Sequence, residues 1–512
     1  MRAEPLRPFL LEKNLDTKPS LSEFIALAKL GNLIPVYQEF LADMETPVSA
    51  YLKIREADGS YSYLLESADG GKRWGRYSFI GYKPFIVAIS KDSTMEVWKE
   101  GTRSVLDHVQ NPMDVLRGLI AEFEPVTLEG LPPFQGGLVG YVNYDIVRKW
   151  EHLPGIRPEN NDLPEAVFTA SRRLIIFDHL THMIKVVVFA HREEREDPEE
   201  TYAEACRELE EAVADPHSPL AGSSSGDPLS VSELKSNIQK EEFQEIVKRA
   251  KEFIVAGDVI QVVLSQRFSG NISGDDFILY RNLRSLNPSP YMFYLNFDGA
   301  KLIGASPEIL IRLTDGKIEL RPIAGTKPRG ETPEEDRALE EELLADPKER
   351  AEHIMLVDLG RNDVGKVAEP GSVSVPRLME VERYSHVMHI VSRVEGTLRH
   401  NTDCFDLFIS AFPAGTVSGA PKIRAMEIIS DLEPTPRGPY AGAVGYFGFN
   451  GNMDFCITIR TITIAGERLS IQAGAGIVAD SSPEGEFDET LRKAEAMFQS
   501  IERVQSHDSH DR

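Results

Sequence analysis

The sequence predicts an α+β fold: a two-domain sandwich of largely antiparallel β-sheets flanked by helices. β-like runs follow one another too often for a regular alternation of strand and helix, which argues against a doubly wound parallel sheet. The segment ADPHSPLAGSSSGDPLS is rich in Ser, Pro, Gly and Asp and lacks apolar periodicity, so it indicates a flexible connector. We therefore expect an N-terminal domain over residues 18–213, a linker over 214–235 and a C-terminal domain over 236–503.

The individual elements follow from periodicity and from punctuating residues. In the N-terminal half we expect helices near residues 20–30, 111–123 and 199–213. The β-like runs of that half are PVYQEFL, PVSAYLKI, YSYLLES, FIVAIS, LIIFDHL and MIKVVVFA. In the C-terminal half, a helix is expected from about Glu241 to Ala256, ending at Gly257 and leading into the strand VIQVVLSQRF. Many strands and several helices follow it.

Composition and charge restrict the class of protein. With 512 residues, of which 41% are hydrophobic, the chain can bury a large core and exceeds one ordinary compact domain. It has 56 basic and 81 acidic residues, a net charge of −25, so no nucleic acid and no anionic membrane is expected as a partner. A small anionic substrate would instead need a locally basic pocket.

Cysteine usage and the N-terminal segment indicate the compartment. The three cysteines, Cys206, Cys404 and Cys456, have neither an even pairing nor metal-ligand spacing, as expected in a reducing environment. The segment MRAEPLRPFLLEKNLDTKPS lacks the apolar stretch of a signal peptide, and no run of about 18 or more apolar residues occurs. We therefore expect a cytoplasmic protein.

Two Glu-x-x-Glu pairs are the strongest chemical signal. The pairs are Glu349/Glu352 and Glu486/Glu489. Asp346-Pro347 and Ser482-Pro483 each predict a helix start, so the members of each pair lie about one turn apart. Four carboxylates at two helix starts offer the hard oxygen ligands that Mg²⁺ prefers. The spacing therefore predicts a magnesium site.

Each carboxylate also has an ordinary alternative. Glu349 stands three residues after Asp346, as the acidic member of a capping box does, and Glu489 can pair with Lys493 at i,i+4. The recurrence of the pair favours the metal site over these local roles.

Several segments of the C-terminal half, taken together and in order, resemble chorismate-utilising enzymes. They are RPIAGT (321–326), EHIMLVDLGRND (352–363), VMHIVSRVEG (387–396), AFPAGTVSGAPKIRAMEII (411–429), GPYAGAVGYF (438–447), MDFCITIRT (453–461) and AGAGIVADS (473–481). The similarity covers essentially residues 240–500. LLESADGG and GRYSFIG resemble the N-terminal domain of the anthranilate-forming branch. The resemblance implies conversion of chorismate and ammonia to anthranilate and pyruvate, the first committed step of tryptophan biosynthesis.

The resemblance also implies roles for two residues in proton transfer. His389 would act as the general acid/base beside the reacting ring, and Glu308 would assist departure of the C4 hydroxyl. A histidine suits this work because its unperturbed pKa lies near the operating pH. The alternative is a core histidine on a strand between Met388 and Ile390.

Chorismate carries two carboxylates, and the resemblance implies a separate site for each. One would bind Mg²⁺ held by Glu352 and Glu489, with Glu349 and Glu486 acting through water. The implied binding residues for the rest of the substrate are Arg460, Tyr440, Gly474, Ala475, Gly476, Gly325, Thr326 and Lys422. The glycines would let backbone N–H groups approach the anion. The alternatives are a strand ion pair for Arg460 and tight strand packing for Gly474 and Gly476.

Two positions discriminate among related reactions. Aminodeoxychorismate synthases place at residue 324 a lysine that attacks the ring, and here the residue is Ala324. Isochorismate and salicylate synthases place at residue 261 a lysine that activates water, and here it is Gln261, which we include among the catalytic positions although it cannot act as a base. Both residues favour amination by ammonia at C2. Synthesis of aminodeoxychorismate is the alternative reaction.

The resemblance implies two further ligands. None of the cysteines has the Gly-flanked setting of a class I glutaminase nucleophile, so ammonia would come from a separate glutamine amidotransferase subunit in a hetero-oligomer, or from solution. A feedback site for L-tryptophan would include Ser67, Pro290, Tyr291 and Met292. The alternative is that these residues are parts of ordinary buried strands.

Other functional classes are less well supported. GTVSGAPK superficially resembles a phosphate-binding loop, but Pro421 precedes Lys422 and Ile423 follows it, which breaks the P-loop spacing. A catalytically inactive, tryptophan-sensing regulatory subunit is a second alternative. The presence of His389, Glu352 and Glu489 argues against it.

Overall fold

The computed structural model describes residues 16–58, 60–67, 75–154, 163–193, 195–217, 228–384 and 387–508. Residues 218–227 of the expected linker, residues 68–71 of LLESADGG and the first fifteen residues of the chain lie outside the described ranges.

Helices and strands are distributed along both halves. The helices are α1 (Leu21–Leu27), α2 (Pro47–Asp58), α3 (Pro112–Ala121), α4 (Pro198–Ala214), α5 (Lys240–Ala256), α6 (Phe277–Leu286), α7 (Pro333–Ala345), α8 (Pro347–Gly365), α9 (Cys404–Ala411), α10 (Lys422–Leu432) and α11 (Pro483–Asp508). Short 3₁₀ helices span Tyr144–Lys149, Asp215–His217 and Gly415–Val417. The strands of the N-terminal half are β1 (Leu33–Leu41), β2 (Ser62–Glu66), β3 (Tyr77–Lys91), β4 (Thr94–Lys99), β5 (Thr102–Leu106), β6 (Gly137–Val142), β7 (Ala166–Asp178) and β8 (Met183–His191). The remaining strands are β9 (Ser230–Val231), β10 (Lys235–Ser236), β11 (Gln261–Ser273), β12 (Tyr291–Phe297), β13 (Ala300–Ser306), β14 (Ile309–Thr314), β15 (Lys317–Leu320), β16 (Ile323–Pro328), β17 (Ser374–Arg383), β18 (Val387–Thr397), β19 (Gly419–Ala420), β20 (Ala443–Gly448), β21 (Met453–Ile457), β22 (Thr461–Ala465) and β23 (Arg468–Ile477).

The strand ladders of the described chain are antiparallel, and two of them join the halves. β2 pairs with β3 on one side and with β12 on the other, and β6 pairs with both β7 and β20. The predicted α+β fold with largely antiparallel sheets is therefore confirmed. The division at 214–235 stays a prediction, since hydrogen bonds between strands run directly from one half to the other.

The hydrophobic cores also combine residues of the two halves. Phe168 of β7 lies against Phe447 of β20, with ring centroids 5.6 Å apart. In a second core, Tyr51 of α2 contacts Phe277 of α6 and Tyr294 of β12, at centroid distances of 5.2 and 5.4 Å. Aromatic pairs of this kind contribute about 0.5–1.5 kcal/mol each beyond the burial of their area.

Most predicted elements lie where the sequence indicated. The helices expected near residues 20–30, 111–123, 199–213 and 241–256 are α1, α3, α4 and α5, and Gly257 ends α5 in the left-handed conformation with φ 84°. The strand predicted for PVSAYLKI is wrong, because this segment forms α2. Thr46 and Ser49 cap that helix reciprocally, and its buried residues follow helical spacing.

Within the described ranges, none of the helices combines the length and the apolar character needed to cross a bilayer.

Candidate active site

Two helix starts carry the paired carboxylates. Asp346 caps α8 and accepts hydrogen bonds from the backbone N–H groups of Lys348 and Glu349, with Pro347 at the first helical position. α11 begins at Pro483, as the sequence predicted. Because α8 packs against β16 and β18, Glu349 lies beside Gly325 of β16, where an added Cβ would be 3.1 Å from Glu349 Oε2.

In each pair, one carboxylate is affected by burial and by its like-charged neighbour on the same helix. Burial and the nearby Glu352 raise the pKa of Glu349. Burial also raises the pKa of Glu486, a hydrogen bond with Ser481 opposes the shift, and the proximity of Glu489 adds to it. A cation between such carboxylates would stabilise their ionised forms.

The carboxylates fit a divalent metal in their chemistry, although they do not enclose one by themselves. Hard oxygen donors with like-charge crowding are what Mg²⁺ neutralises in proteins. Among the described residues, no group of three or more His, Cys, Asp or Glu side chains is arranged to hold a metal ion. A magnesium ion here would therefore need water or a bound anion as additional ligands.

Hydrogen bonding determines which nitrogen of His389 carries the proton. Nδ1 lies 3.0 Å from the backbone oxygen of Gly325 and 3.0 Å from Thr326 Oγ1. A carbonyl oxygen only accepts, so Nδ1 carries the hydrogen and Nε2 is left as the basic nitrogen. Burial lowers the pKa of His389, and the positive charge of Arg460 lowers it further, against the hydrogen bond to Gly325. The neutral ring can therefore accept a proton at Nε2.

Gln261 connects the strand β11 to the carboxylates. Its side chain is buried, and Nε2 donates to Glu352 Oε1 at 3.0 Å. Its Oε1 is buried without a hydrogen-bond partner among the described residues. A buried amide oxygen of this kind is an acceptor for a small donor that enters the site.

The glycine-rich strand β23 forms one wall of the site. It pairs with β11 from Arg468 to Ile477, whereas its pairing with β22 ends at Ile471. On the edge that faces β22, the backbone N–H and C=O groups of residues 473–477 therefore make no strand-pairing hydrogen bonds within the described chain. An added Cβ on Gly474 would lie 2.6 Å from Tyr440 Oη, and one on Gly476 would lie 2.5 Å from Gln261 Nε2. Only glycine fits either position without displacing a neighbour.

Arg460 adds a cation to this wall. Its backbone has φ 52°, and its guanidinium donates to the backbone oxygen of Lys493. Burial lowers the pKa of Arg460, while Tyr440 and Glu489 oppose the shift. Burial also raises the pKa of Tyr440 to about 12, so its hydroxyl stays protonated and can donate a hydrogen bond.

Glu308 is the buried acid of the site. Burial raises its pKa to about 7, against a hydrogen bond from Thr416 Oγ1 at 2.6 Å and the positive charge of Lys493. Near neutral pH a substantial fraction of this carboxyl is therefore protonated and can release its proton. It borders a cavity of about 30 Å³, whose other walls are mostly apolar.

Lys493 occupies a central position that the sequence indicated only as an i,i+4 partner of Glu489. Its Nζ lies 2.7 Å from Glu489 Oε1 and donates to the backbone oxygen of Gly474 at 3.1 Å. The lysine thus joins α11 to the glycine-rich strand. The spacing from Glu489 was the only available signal, and it does not distinguish this position from a surface ion pair.

Lys422 makes its contacts inside the protein. Its Nζ donates to Asp363 Oδ2 at 2.6 Å and to the backbone oxygen of Ala411 at 3.1 Å. Burial lowers the pKa of the ammonium, against the attraction of Asp363. The charge of Lys422 thus already has a carboxylate partner. A contact between Lys422 and substrate stays a prediction.

The residues predicted to bind tryptophan lie where β2 and β12 pair. Met292 stands opposite Glu66 in the ladder, and Ser67 follows directly, with its buried Oγ lacking a hydrogen-bond partner among the described residues. Tyr291 Oη donates to Asp454 Oδ1 at 2.8 Å. Pro290 precedes β12 and is half-buried. An unpartnered buried hydroxyl next to a buried carboxylate network is compatible with a polar ligand.

Comparison with known proteins gives the class to which this fold and site belong. A family model described as chorismate binding enzyme matches residues 61–499. Anthranilate synthase component 1 from Acetivibrio thermocellus is 46% identical over 496 residues, covering 95% of this chain and 99% of that protein. The protein of the same name from Aquifex aeolicus is 48% identical over 488 residues, covering 94% of this chain and 97% of its own.

Solved structures agree. The crystal structure of anthranilate synthase component I from Streptococcus pneumoniae TIGR4 has a TM-score of 0.73 and 37% identity, covering 83% of this chain and 93% of that one. The menaquinone-specific isochorismate synthase from Escherichia coli, at 20% identity over 94% of this chain and 98% of its own, has a TM-score of 0.67 and shows the fold alone.

An antiparallel α+β fold with paired carboxylates, a half-buried histidine and a glycine-rich strand is that of a chorismate-utilising enzyme. The chain belongs to the chorismate binding enzyme family, and the relatives that it matches along nearly its whole length are named anthranilate synthase component 1.

Proposed function

We propose that this protein is the large subunit of an anthranilate synthase, which converts chorismate and ammonia to anthranilate, pyruvate and water. The observation that carries the proposal is the chemistry of residue 261, in the light of the relatives' names. Gln261 is an amide held by Glu352, and residue 324 is alanine, so neither position supplies an amine to attack the ring or to activate water. Ammonia is then the nucleophile that remains.

The side chains support a two-stage reaction. As the nitrogen of ammonia bonds to C2, the ring double bonds shift and the C4 hydroxyl leaves, taking the proton of Glu308 to become water. The ammonium formed at C2 then loses one proton, which restores the protonated Glu308 directly or through water. His389 Nε2 then removes the proton from C2. The C3–O bond breaks, the ring becomes aromatic, and the released enolpyruvate takes up a proton to form pyruvate. The two acid/base groups begin in opposite states, with Glu308 protonated and His389 neutral.

The remaining residues bind and orient the substrate. Arg460, the Tyr440 hydroxyl and the unladdered backbone groups of residues 474–476 suit one carboxylate of chorismate. Glu352 and Glu489 would hold Mg²⁺, with Glu349 and Glu486 acting through water. When bound, the ion would neutralise the other carboxylate and the developing enolpyruvate charge.

The magnesium assignment has its own test. Glu352→Gln should raise the half-saturating Mg²⁺ concentration by about tenfold or more, since it removes a charged oxygen ligand. The exposed Glu341 is the matched control, and Glu341→Gln should leave the magnesium dependence unchanged. Equal magnesium curves for Glu352→Gln and the unmodified protein would remove Glu352 from the metal site.

Two partners complete the proposal. A glutamine amidotransferase subunit would supply ammonia, and the word "component" in the relatives' names supports a heteromeric assembly. L-tryptophan would bind near Ser67, Pro290, Tyr291 and Met292 as a feedback inhibitor. Because β2 and β12 come from different halves, a ligand at their junction could shift the relative stability of two arrangements of the halves.

The experiment is to incubate the purified protein with chorismate, Mg²⁺ and ammonium at mildly alkaline pH, with and without L-tryptophan, and to identify the product. We expect anthranilate and pyruvate in equal amounts, with less of both when tryptophan is present. Aminodeoxychorismate or isochorismate as the product would contradict the interpretation of Ala324 and Gln261. Anthranilate formation unaffected by tryptophan would contradict the feedback site alone.

A further inference from the structure

A second cavity, of about 430 Å³, lies away from the candidate active site. It is bounded by α6, by the start of α2 and by the turn that joins β7 to β8. None of the residues assigned above to catalysis, substrate, magnesium or tryptophan lines it. A volume of this size is sufficient for a small organic ligand.

Cationic groups of α6 face this cavity. Arg281 and Arg284 both line it and are three residues apart, so they share one face of the helix. Arg284 donates to the carboxylate of Glu66 at 2.9 and 3.1 Å, and 42% of its side chain is exposed. Arg281 is exposed, and within the described part of the chain no carboxylate is paired with it. Its five N–H donors are therefore available to a ligand.

Arg284 is already paired with Glu66, and the two carboxylates that line the cavity do not neutralise Arg281. Glu45 pairs with Lys53 and accepts a hydrogen bond from Ser49 Oγ at 2.8 Å. Asp178 pairs with Arg76 at 2.8 Å and accepts from the backbone N–H of Leu180 at 3.0 Å. Both carboxylates are thus occupied by partners, and hydrogen-bond donors are in excess.

The other walls provide an apolar surface and a further positive field. Phe177, Pro47 and Val48 contribute carbon atoms, and Pro47 is the first residue of α2. The N-terminal end of a helix of this length carries a partial positive charge. His182, in the turn between β7 and β8, adds an imidazole that can donate a hydrogen bond.

We propose that this cavity binds a small organic anion with a carboxylate or phosphate head group and an aromatic or aliphatic body. The head group lies between Arg281 and Arg284 at the start of α2, where a planar guanidinium can make paired hydrogen bonds to two oxygen atoms. The body packs against Phe177, Pro47 and Val48. The inference is independent of the reaction proposed above, because the two sites share no residue.

Binding can be measured by isothermal titration of the full chain with benzoate, with phenyl phosphate and with inorganic phosphate, all without Mg²⁺. We expect saturable binding of at least one of the two aromatic anions, and weaker binding of inorganic phosphate, which lacks an apolar body. The tighter of benzoate and phenyl phosphate identifies the head group. Arg281→Ala should weaken binding by about tenfold or more, the usual effect of losing a charged hydrogen bond.

The matched control is Arg249→Ala, which removes an exposed arginine from α5, a helix that does not line this cavity. It should leave the affinity unchanged, and both variants should keep ammonia-dependent turnover of chorismate, which shows that they are folded. Binding that persists in Arg281→Ala but disappears in Arg460→Ala would assign the ligand to the candidate active site and overturn the proposal. No saturable binding of either aromatic anion up to about 10 mM, an affinity below about 3 kcal/mol, would overturn it as well.

Discussion

At the scale of single residues, His389 is the clearest test of the proposed chemistry. His389→Ala should lower kcat by about 10²–10⁴-fold, because it removes the group that accepts a proton at Nε2. The ring makes hydrogen bonds at Nδ1 to Gly325 and Thr326 and an edge contact with Tyr384, and these are few enough for the fold to survive their loss. Steady-state kinetics with ammonium, together with circular dichroism, would measure both effects.

The exposed His400 provides the matched control for that variant. His400→Ala should keep full activity, since it removes the same side chain from a position outside the site. A His389→Ala variant that turns over chorismate at the normal rate would exclude His389 as the acid/base.

Burial of the Glu308 carboxyl should support activity while lowering the stability of the fold at higher pH. Burial raises its pKa from 4.5 to about 7, so the folded protein holds a proton that the unfolded chain loses between these pH values. The buried carboxyl therefore lowers the free energy of unfolding as pH rises from about 4.5 to 7. Glu308→Gln should abolish activity yet raise that free energy by up to about 3 kcal/mol at pH 8, and by under about 1 kcal/mol at pH 5.

Urea denaturation of Glu308→Gln at the two pH values would measure this difference. Glu467→Gln, at an exposed position, is the control and should retain the pH dependence of the unmodified protein. If Glu308→Gln kept the same pH dependence of the free energy of unfolding, the Glu308 carboxyl would not titrate between about pH 4.5 and 7.

The positions of the glutamate pairs at helix starts could be predicted from residue types and spacing, whereas the contacts of Lys493 could not. The paired glutamates lie at the starts of two helices, as predicted, because caps and proline positions are local signals. Lys493 donates to the backbone of Gly474, and that contact depends on how α11 lies against β23. Packing between distant segments leaves no pattern in one sequence.

At the scale of elements, the segment PVSAYLKI shows the limit of periodicity. As a short β-like run it was predicted to be a strand, yet it forms α2. Ala50, Tyr51 and Ile54 bury one helical face against the core, and the cap at Thr46 fixes the start. Short apolar runs satisfy both periods, so tertiary packing decides between them.

The strand β23 offers a test of an element that shapes the site. Gly476→Ala would place a methyl group 2.5 Å from Gln261 Nε2 and force that amide away from Glu352. We expect activity to fall by about tenfold or more, because Gln261 and Glu352 are then displaced together, with under about 2 kcal/mol lost in stability. Kinetics and urea denaturation would separate the two effects.

Gly118→Ala is the control for this substitution. An added Cβ on Gly118, within α3, meets no atom within 4 Å, and alanine is the better helix former, so stability should rise by about 0.5–1 kcal/mol with activity unchanged. Full activity in Gly476→Ala would show that the wall tolerates a side chain.

At the scale of the whole molecule, the sequence predicted the fold class but not how the halves associate. Alternating runs identify strands, whereas the pairing of β2 with β12 and of β6 with β20 joins segments far apart in the chain. No local signal specifies such a partner. The expected linker suggested separable domains because no pattern in the sequence indicates the strand pairing between the halves.

These shared ladders and cores lead to a prediction about unfolding. If the N-terminal half unfolded alone, β12 would lose its partner strand β2 and expose an edge. Phe277 and Tyr294 would also lose their contacts with Tyr51. We therefore expect the halves to unfold together, in one calorimetric transition with equal calorimetric and van't Hoff enthalpies. Tyr51→Ala should lower the free energy of unfolding by about 3–5 kcal/mol, and the whole transition should therefore move to lower temperature. Two separate transitions, with only the first shifted by Tyr51→Ala, would instead establish the linker at 214–235 as the boundary between independently stable domains.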